Sequence, residues 1–98
     1  MLKDDIILKN IMRLEKSIVD IKETEQSIEI WIKKPMFIIN EKYIKHLKFI
    51  ILKNYNYFSR KDRVSILHFR KYKKYKGGHK IAFFYTDTNK IYYRGKEI

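Results

Sequence analysis

The chain has 98 residues, 45% of them apolar and 15% aromatic. That length suits one domain spanning residues 1–98, and the composition is too rich in core-forming side chains for a disordered segment. Cysteine is absent, which excludes a disulfide framework, a thiolate metal site and a cysteine nucleophile. The acids in Met1-Leu2-Lys3-Asp4-Asp5 stand where a signal peptide needs basic residues, and no apolar run approaches the roughly 18 residues of a membrane span. A cytoplasmic protein with no membrane partner is expected.

The formal net charge is +12. Lysine outnumbers arginine 18 to 5, isoleucine occurs 17 times and alanine once, a usage that AT-rich coding produces by itself. Codon bias does not segregate charge along a chain, however. Residues 1–40 hold seven basic and seven acidic side chains, whereas residues 41–98 hold sixteen against four. Such one-sided charge costs self-repulsion in the folded state and is expected where an anionic partner supplies the countercharge.

Over residues 2–25 the apolar side chains Ile7, Ile11, Leu14, Ile18 and Ile21 alternate steps of four and three, which predicts a long amphipathic helix with Asp4 and Asp5 in its first turn. The same spacing fits a short homodimer seam through this helix, as an alternative to packing on the chain's own sheet. From Ile28 the period changes to two, with Ile28, Ile30 and Ile32 alternating with Glu29, Trp31 and Lys33, the pattern of a half-buried strand. Pro35 interrupts it, and residues 36–39 suggest a second short strand.

Asn40 is placed as the N-cap of a second helix over residues 41–54. On a helical wheel Tyr43, Ile44, Leu47, Ile50 and Ile51 share the core side, while Lys42, Lys45, His46, Phe49 and Lys53 share a basic one. Those lysines serve either as a solvated face or as phosphate contacts. A polar connection, in which Tyr55, Tyr57 and Phe58 either widen a stacking surface or pin the loop to the core, leads to a predicted three-stranded antiparallel meander. Its strands are residues 64–76, 79–85 and 90–94, turning at Gly77-Gly78 and at Thr86-Asp87-Thr88-Asn89. That register puts Leu67, Phe69, Ala82, Phe84, Ile91 and Tyr93 on the core face. The opposite face then carries Ile66, His68, Arg70, Tyr72, Lys74, Ile81, Phe83, Tyr85, Lys90, Tyr92 and Arg94. The fold class expected is α+β.

A face interleaving rings with cations suits a single nucleic-acid strand, which offers π surfaces to stack on and one negative phosphate per nucleotide. The stretch Arg70, Lys71, Tyr72, Lys73, Lys74, Tyr75, Lys76 is polar at odd and even positions alike, so it should project as a basic arm. Isolated lysines at a sheet edge guard against aggregation. Six cations from Arg70 to Lys80 with no acid among them exceed that need. The sequence therefore predicts a nucleic-acid-binding protein, RNA or single-stranded DNA favoured. Phosphate contacts are assigned to Lys42, Lys45, Lys53, Arg70, Lys71, Lys73, Lys74, Lys76, Lys80 and Arg94, and stacking to Tyr72, Phe83, Tyr85 and Tyr92. No zinc-ligand spacing, P-loop or dinucleotide glycine pattern is present, so no metal, cofactor or catalytic residue is assigned. Two alternatives remain: a metal-independent ribonuclease drawing on His68, Arg70, His79, Tyr85, Tyr92 and Arg94, and a small inhibitor or adaptor docking on an acidic protein surface. No family membership follows from the sequence.

Overall fold

The computed structural model describes the backbone of residues 3–72 and 75–98 and the side chains of residues 5–69 and 77–98. Its first helix is shorter than the apolar spacing predicts. Helix α1 (Lys3–Leu14) stops before Glu15, and strand β1 (Ile18–Glu23) takes up the rest of the predicted helix. A β-bulge is the reason. Ile18 pairs with Ile32 and Asp20 with Trp31 of strand β2 (Ser27–Ile32), leaving Val19 as an extra residue. The inserted residue lets Ile18 and Ile21, three apart, both turn inward, so a strand carries helical spacing. Both isoleucines are buried and Val19 is exposed. Between the strands, Thr24 N–H donates to the Ser27 carbonyl (2.8 Å) and Ser27 N–H donates to Thr24 Oγ1 (3.0 Å), closing the hairpin.

Ile28, Ile30 and Ile32 of β2 are fully buried, as their alternation requires. The short strand expected at residues 36–39 is instead a 3-10 turn, Met36–Ile38, with all three side chains exposed and only Ile39 buried. Apolar content alone does not make a strand where no neighbouring edge is offered. Helix α2 (Glu41–Lys53) follows its sequence pattern closely. Asn40 Oδ1 accepts from Tyr43 N–H (2.9 Å), an N-cap of the kind worth about 1 kcal/mol. Tyr43, Ile44, Leu47, Ile50 and Ile51 are its buried side. In the connection that follows, α3 (Tyr55–Phe58) buries Tyr57 and Phe58, and the Tyr55 hydroxyl donates to the Thr86 carbonyl, so these rings anchor the segment and do not extend a stacking surface.

The remaining strands are β3 (Arg63–Tyr72), β4 (Tyr75–Tyr85), β5 (Lys90–Tyr93) and β6 (Lys96–Glu97). All six strands form one sheet in the order β1-β2-β3-β4-β5-β6. Among the described strands only β2 and β3 pair in parallel; α2 supplies the crossover that a parallel neighbour demands. The fold is α+β, with helices on one face of a six-stranded mixed sheet that extends the predicted meander at both ends. Ile11 of α1 and the inner side of α2 join Ile28, Ile30, Val64, Ile66, Ala82, Phe84, Ile91 and Tyr93 in a single core. Among the described residues, no helix is long and apolar enough to cross a membrane.

The hairpin between β3 and β4 is displaced from its predicted place. Gly77 and Gly78 lie inside β4, opposite Arg70 and Phe69, and pairing continues past them to Tyr72 with Tyr75. A second bulge follows: Ile66 pairs with Ala82 but Leu67 with Lys80, so Ile81 is the extra residue. The consequence is an exchange of faces in β3. Val64 and Ile66 enter the core, whereas Leu67 and Phe69 turn to the helix-free side, the reverse of the sequence assignment. In β4 and β5 the assignments of Ala82, Phe83, Phe84, Tyr85, Lys90, Ile91, Tyr92 and Tyr93 agree with the register, whereas Ile81, expected on the opposite face, packs against the core from its bulge. The turn at Thr86-Asp87-Thr88-Asn89 also lies where expected, with Asn89 at φ 57° and its N–H donating to the Tyr85 carbonyl (2.8 Å).

One ionisable contact fastens the helix layer. Glu15 Oε2 accepts from Ser17 N–H (3.0 Å), and Oε1 lies 3.2 Å from His46 Nε2 on α2. Burial works against the Glu15 charge, but hydrogen bonds from Ser17 and the nearby Lys34 and His46 outweigh it, holding the carboxyl below its ordinary value. A depressed carboxyl contributes stability above its unfolded value and loses it as pH falls through the folded one. Stability should therefore drop on acidification below about pH 4.5, and Glu15→Gln should flatten that part of the curve. Urea midpoints of both proteins from pH 6 to pH 3 measure it; parallel curves would refute the linkage. Beside this contact, Tyr43 shares a hydrogen bond with the Ser17 hydroxyl, and burial, reinforced by Glu15, pushes its phenol up to about 12.

Candidate nucleic-acid interface

The helices leave one face of the sheet uncovered. Residues alternate along each strand, so the register fixes which side chains stand there: Asp20 and Lys22 on β1, Glu29 and Trp31 on β2, Arg63, Ser65, Leu67 and Phe69 on β3, Lys80, Phe83 and Tyr85 on β4, Lys90 and Tyr92 on β5. Ser65 and Leu67 point this way yet are buried, because longer neighbours close over them. Upon that layer stand, among the described residues, five aromatic side chains.

The rings fall into two groups. Tyr85 and Tyr92 meet edge to face with centroids 5.7 Å apart, and Phe83 has the Arg63 guanidinium 5.5 Å from its centroid. Nearer the other edge, Trp31 and Phe69 lie 6.4 Å apart at 64°, with Lys22 Nζ 4.8 Å from the indole centroid and Trp31 Nε1–H donating to Glu29 (3.2 Å). The indole reaches across β3 to β4. A Cβ built at Gly78 would stand 2.5 Å from Trp31 Cζ3, so the glycine expected to make a turn instead makes room for a ring.

Charge on this face is mixed. Lys90 pairs with Glu97 (3.8 Å) and Lys22 lies 3.9 Å from Asp20, so acids from both sheet edges offset part of the positive charge. Beyond the sheet the balance changes. Among the described pairings, β2 reaches only His68 and β5 only Ala82, so from Phe69–Gly78 to Tyr72–Tyr75 strands β3 and β4 pair with each other alone. The backbone of Arg70, Lys71, Tyr72, Tyr75 and Lys76 from the basic stretch lies in this two-stranded ribbon, while Lys73 and Lys74 lie outside the described residues. The side chains of Arg70, Lys71, Tyr72, Lys73, Lys74 and Lys76 lie outside the described residues.

Of the side chains selected from sequence, Lys80, Phe83, Tyr85 and Tyr92 share the open face. Lys42, Lys45 and Lys53 do not join them: α2 buries its other side against the opposite face of the sheet, so its exposed lysines point away. Arg94 also departs. At φ 53° it leaves β5, sets its guanidinium 5.3 Å from the Tyr93 ring centroid and borders a hollow with Met36, Ile39 and His79 on the helix side. His68 and His79 pair directly across β3 and β4 on that same helix side, away from the rings. His68 Nε2 lies 2.6 Å from the Lys34 carbonyl, and its Nδ1 is buried without a partner. Among the described residues no three His, Asp or Glu side chains gather as a metal site.

Sequence reasoning missed Trp31 and Phe69. Trp31 carried a signal, an indole on the polar side of an alternating strand. Phe69 was hidden by the bulge at Ile81, which no local pattern announces. Comparison with protein-family models, curated proteins and solved structures returned no match for this chain.

Proposed function

We propose that the protein binds single-stranded nucleic acid, RNA or DNA, on the open face of its sheet, with the β3–β4 ribbon gripping the phosphate backbone. The observation that supports this most is the placement of five rings on the one sheet face that no helix covers. An exposed sheet face is ordinarily polar, whereas here Trp31, Phe69, Phe83 and Tyr92 are half-buried and Tyr85 is exposed. Bases stack on such rings whatever their sequence, and Arg63, Lys80, Lys90 and the basic stretch supply the countercharge for phosphates. The lysines of α2, on the far side, are left out of this interface.

Salt dependence tests it. With about six phosphates neutralised, a plot of log affinity against log salt should slope at about −4 to −5. Fluorescence anisotropy with short labelled single strands of RNA and DNA, and with a duplex competitor, gives that slope. A value near −1, or a duplex bound as tightly as a single strand, would overturn the assignment.

A further inference from the structure

Between the first two strands and the tip of β3, the open face is not flat. Val19, Asp20, Lys22, Trp31, Lys33 and Phe69 line a groove of about 430 Å³, inside the range of about 300–1,000 Å³ typical of small-molecule sites. We propose that this groove takes one nucleobase of the bound strand, stacked against the Trp31 indole beside Phe69, with Lys22 and Lys33 on the flanking phosphates and Asp20 accepting from an amino group on the base edge. The inference rests on the single-strand assignment above and adds to it a defined subsite with base preference.

Four features carry it. Two departures from regular structure shape the groove: the bulge leaves Val19 exposed at its edge, and Gly78 lets the indole lie down across β3, where any Cβ would stand 2.5 and 2.7 Å from ring atoms. A flat apolar wall is thus paired with a gap beside it. Second, the cation now parked near that wall is displaceable. Lys22 is 56% exposed, and a cation–π contact at an exposed site is weaker than stacking by a base, so an incoming ring can take its place while the ammonium moves to a phosphate. Third, Lys33 is exposed at the rim, giving the groove a second positive group. Fourth, a carboxylate stands among them. Asp20 Oδ1 accepts from Ile21 N–H (2.9 Å), which fixes its orientation and leaves lone pairs for a further donor. Cytosine offers its amino group at the pairing edge; uracil has a carbonyl oxygen there, which a carboxylate repels.

Trp31 is the sole tryptophan, so its emission reports on this groove and nothing else. The experiment titrates the full chain with labelled oligocytidine and oligouridine, reading label anisotropy and Trp31 fluorescence in the same cuvette. Quenching of Trp31 in step with the anisotropy, and tighter binding of oligocytidine by about 5- to 100-fold, is the expected result. Asp20→Asn should erase the preference while keeping the quench. Gly78→Ala, which displaces the indole without altering charge, should weaken binding provided far-UV circular dichroism is unchanged. Anisotropy that rises while Trp31 emission stays constant would sink the subsite and leave the single-strand assignment standing. Quenching with equal affinity for both oligomers would overturn the role of Asp20. No anisotropy change at low salt would overturn the single-strand assignment, and the subsite with it.

Discussion

Replacing Phe84 by alanine should destabilise the protein by about 3–5 kcal/mol, the cost of removing a large buried ring and leaving a cavity. Phe84 is fully buried in β4, opposite Val64 on one side and Ile91 on the other, at the centre of the core. A domain of this size has roughly 5–15 kcal/mol of stability in all, so the variant should be largely unfolded in mild urea. Its neighbour gives the control. Phe83, one residue earlier, stands on the open face, and Phe83→Ala should cost far less stability while weakening nucleic-acid binding. Urea unfolding of the two variants side by side decides the matter: equal losses would mean that the strand does not divide its side chains between the two faces as the register requires.

The largest effect on binding is expected from Tyr85→Ala and Tyr92→Ala together. Each stacked base contributes about 1–3 kcal/mol, so the pair should lose about 2–6 kcal/mol of affinity for a single strand if each ring holds one base. Tyr85 is exposed and Tyr92 half-buried, neither belongs to the core, and they meet edge to face, so the fold should survive. Tyr85→Phe and Tyr92→Phe should retain most of the affinity, because the ring and not the hydroxyl is the stacking element. Anisotropy titrations at one fixed salt concentration measure this. An alanine double variant that remains folded and binds unchanged would exclude stacking and shift the function towards an acidic protein surface, which needs the cations alone.

Much of this fold is legible from periodicity. The α2 wheel, its Asn40 cap, the β2 alternation and the turn before Lys90 all sit where the residues put them, because each is specified by neighbours within a few positions. The length of the first helix and the faces of β3 failed to show for one physical cause, the β-bulge. At Val19 an extra residue makes a strand imitate a helix, and at Ile81 an extra residue exchanges the faces of β3 and so hides Phe69. Bulges are settled by pairing with a distant strand, which no local window contains. Gly77-Gly78 misled for a related reason. Glycine permits a turn, but it also permits close approach by a ring, and Trp31 lies 47 positions before Gly78 in the chain, well outside any local pattern. The candidate interface was accordingly half visible: β4 and β5 gave Phe83, Tyr85 and Tyr92, while the Trp31–Phe69 groove needed the folded sheet.

The parallel pairing of β2 with β3 carries a kinetic consequence. Every other strand pair closes through a short connection, whereas Ser27 can meet Arg63 only after the whole of α2 and α3 has been threaded between them. Loop-closure entropy delays such contacts, so the C-terminal strands should assemble as a nucleus and the N-terminal hairpin should dock onto it in the last step. Pulse-labelled hydrogen exchange that protected β1 and β2 ahead of β4 and β5 would reverse that order.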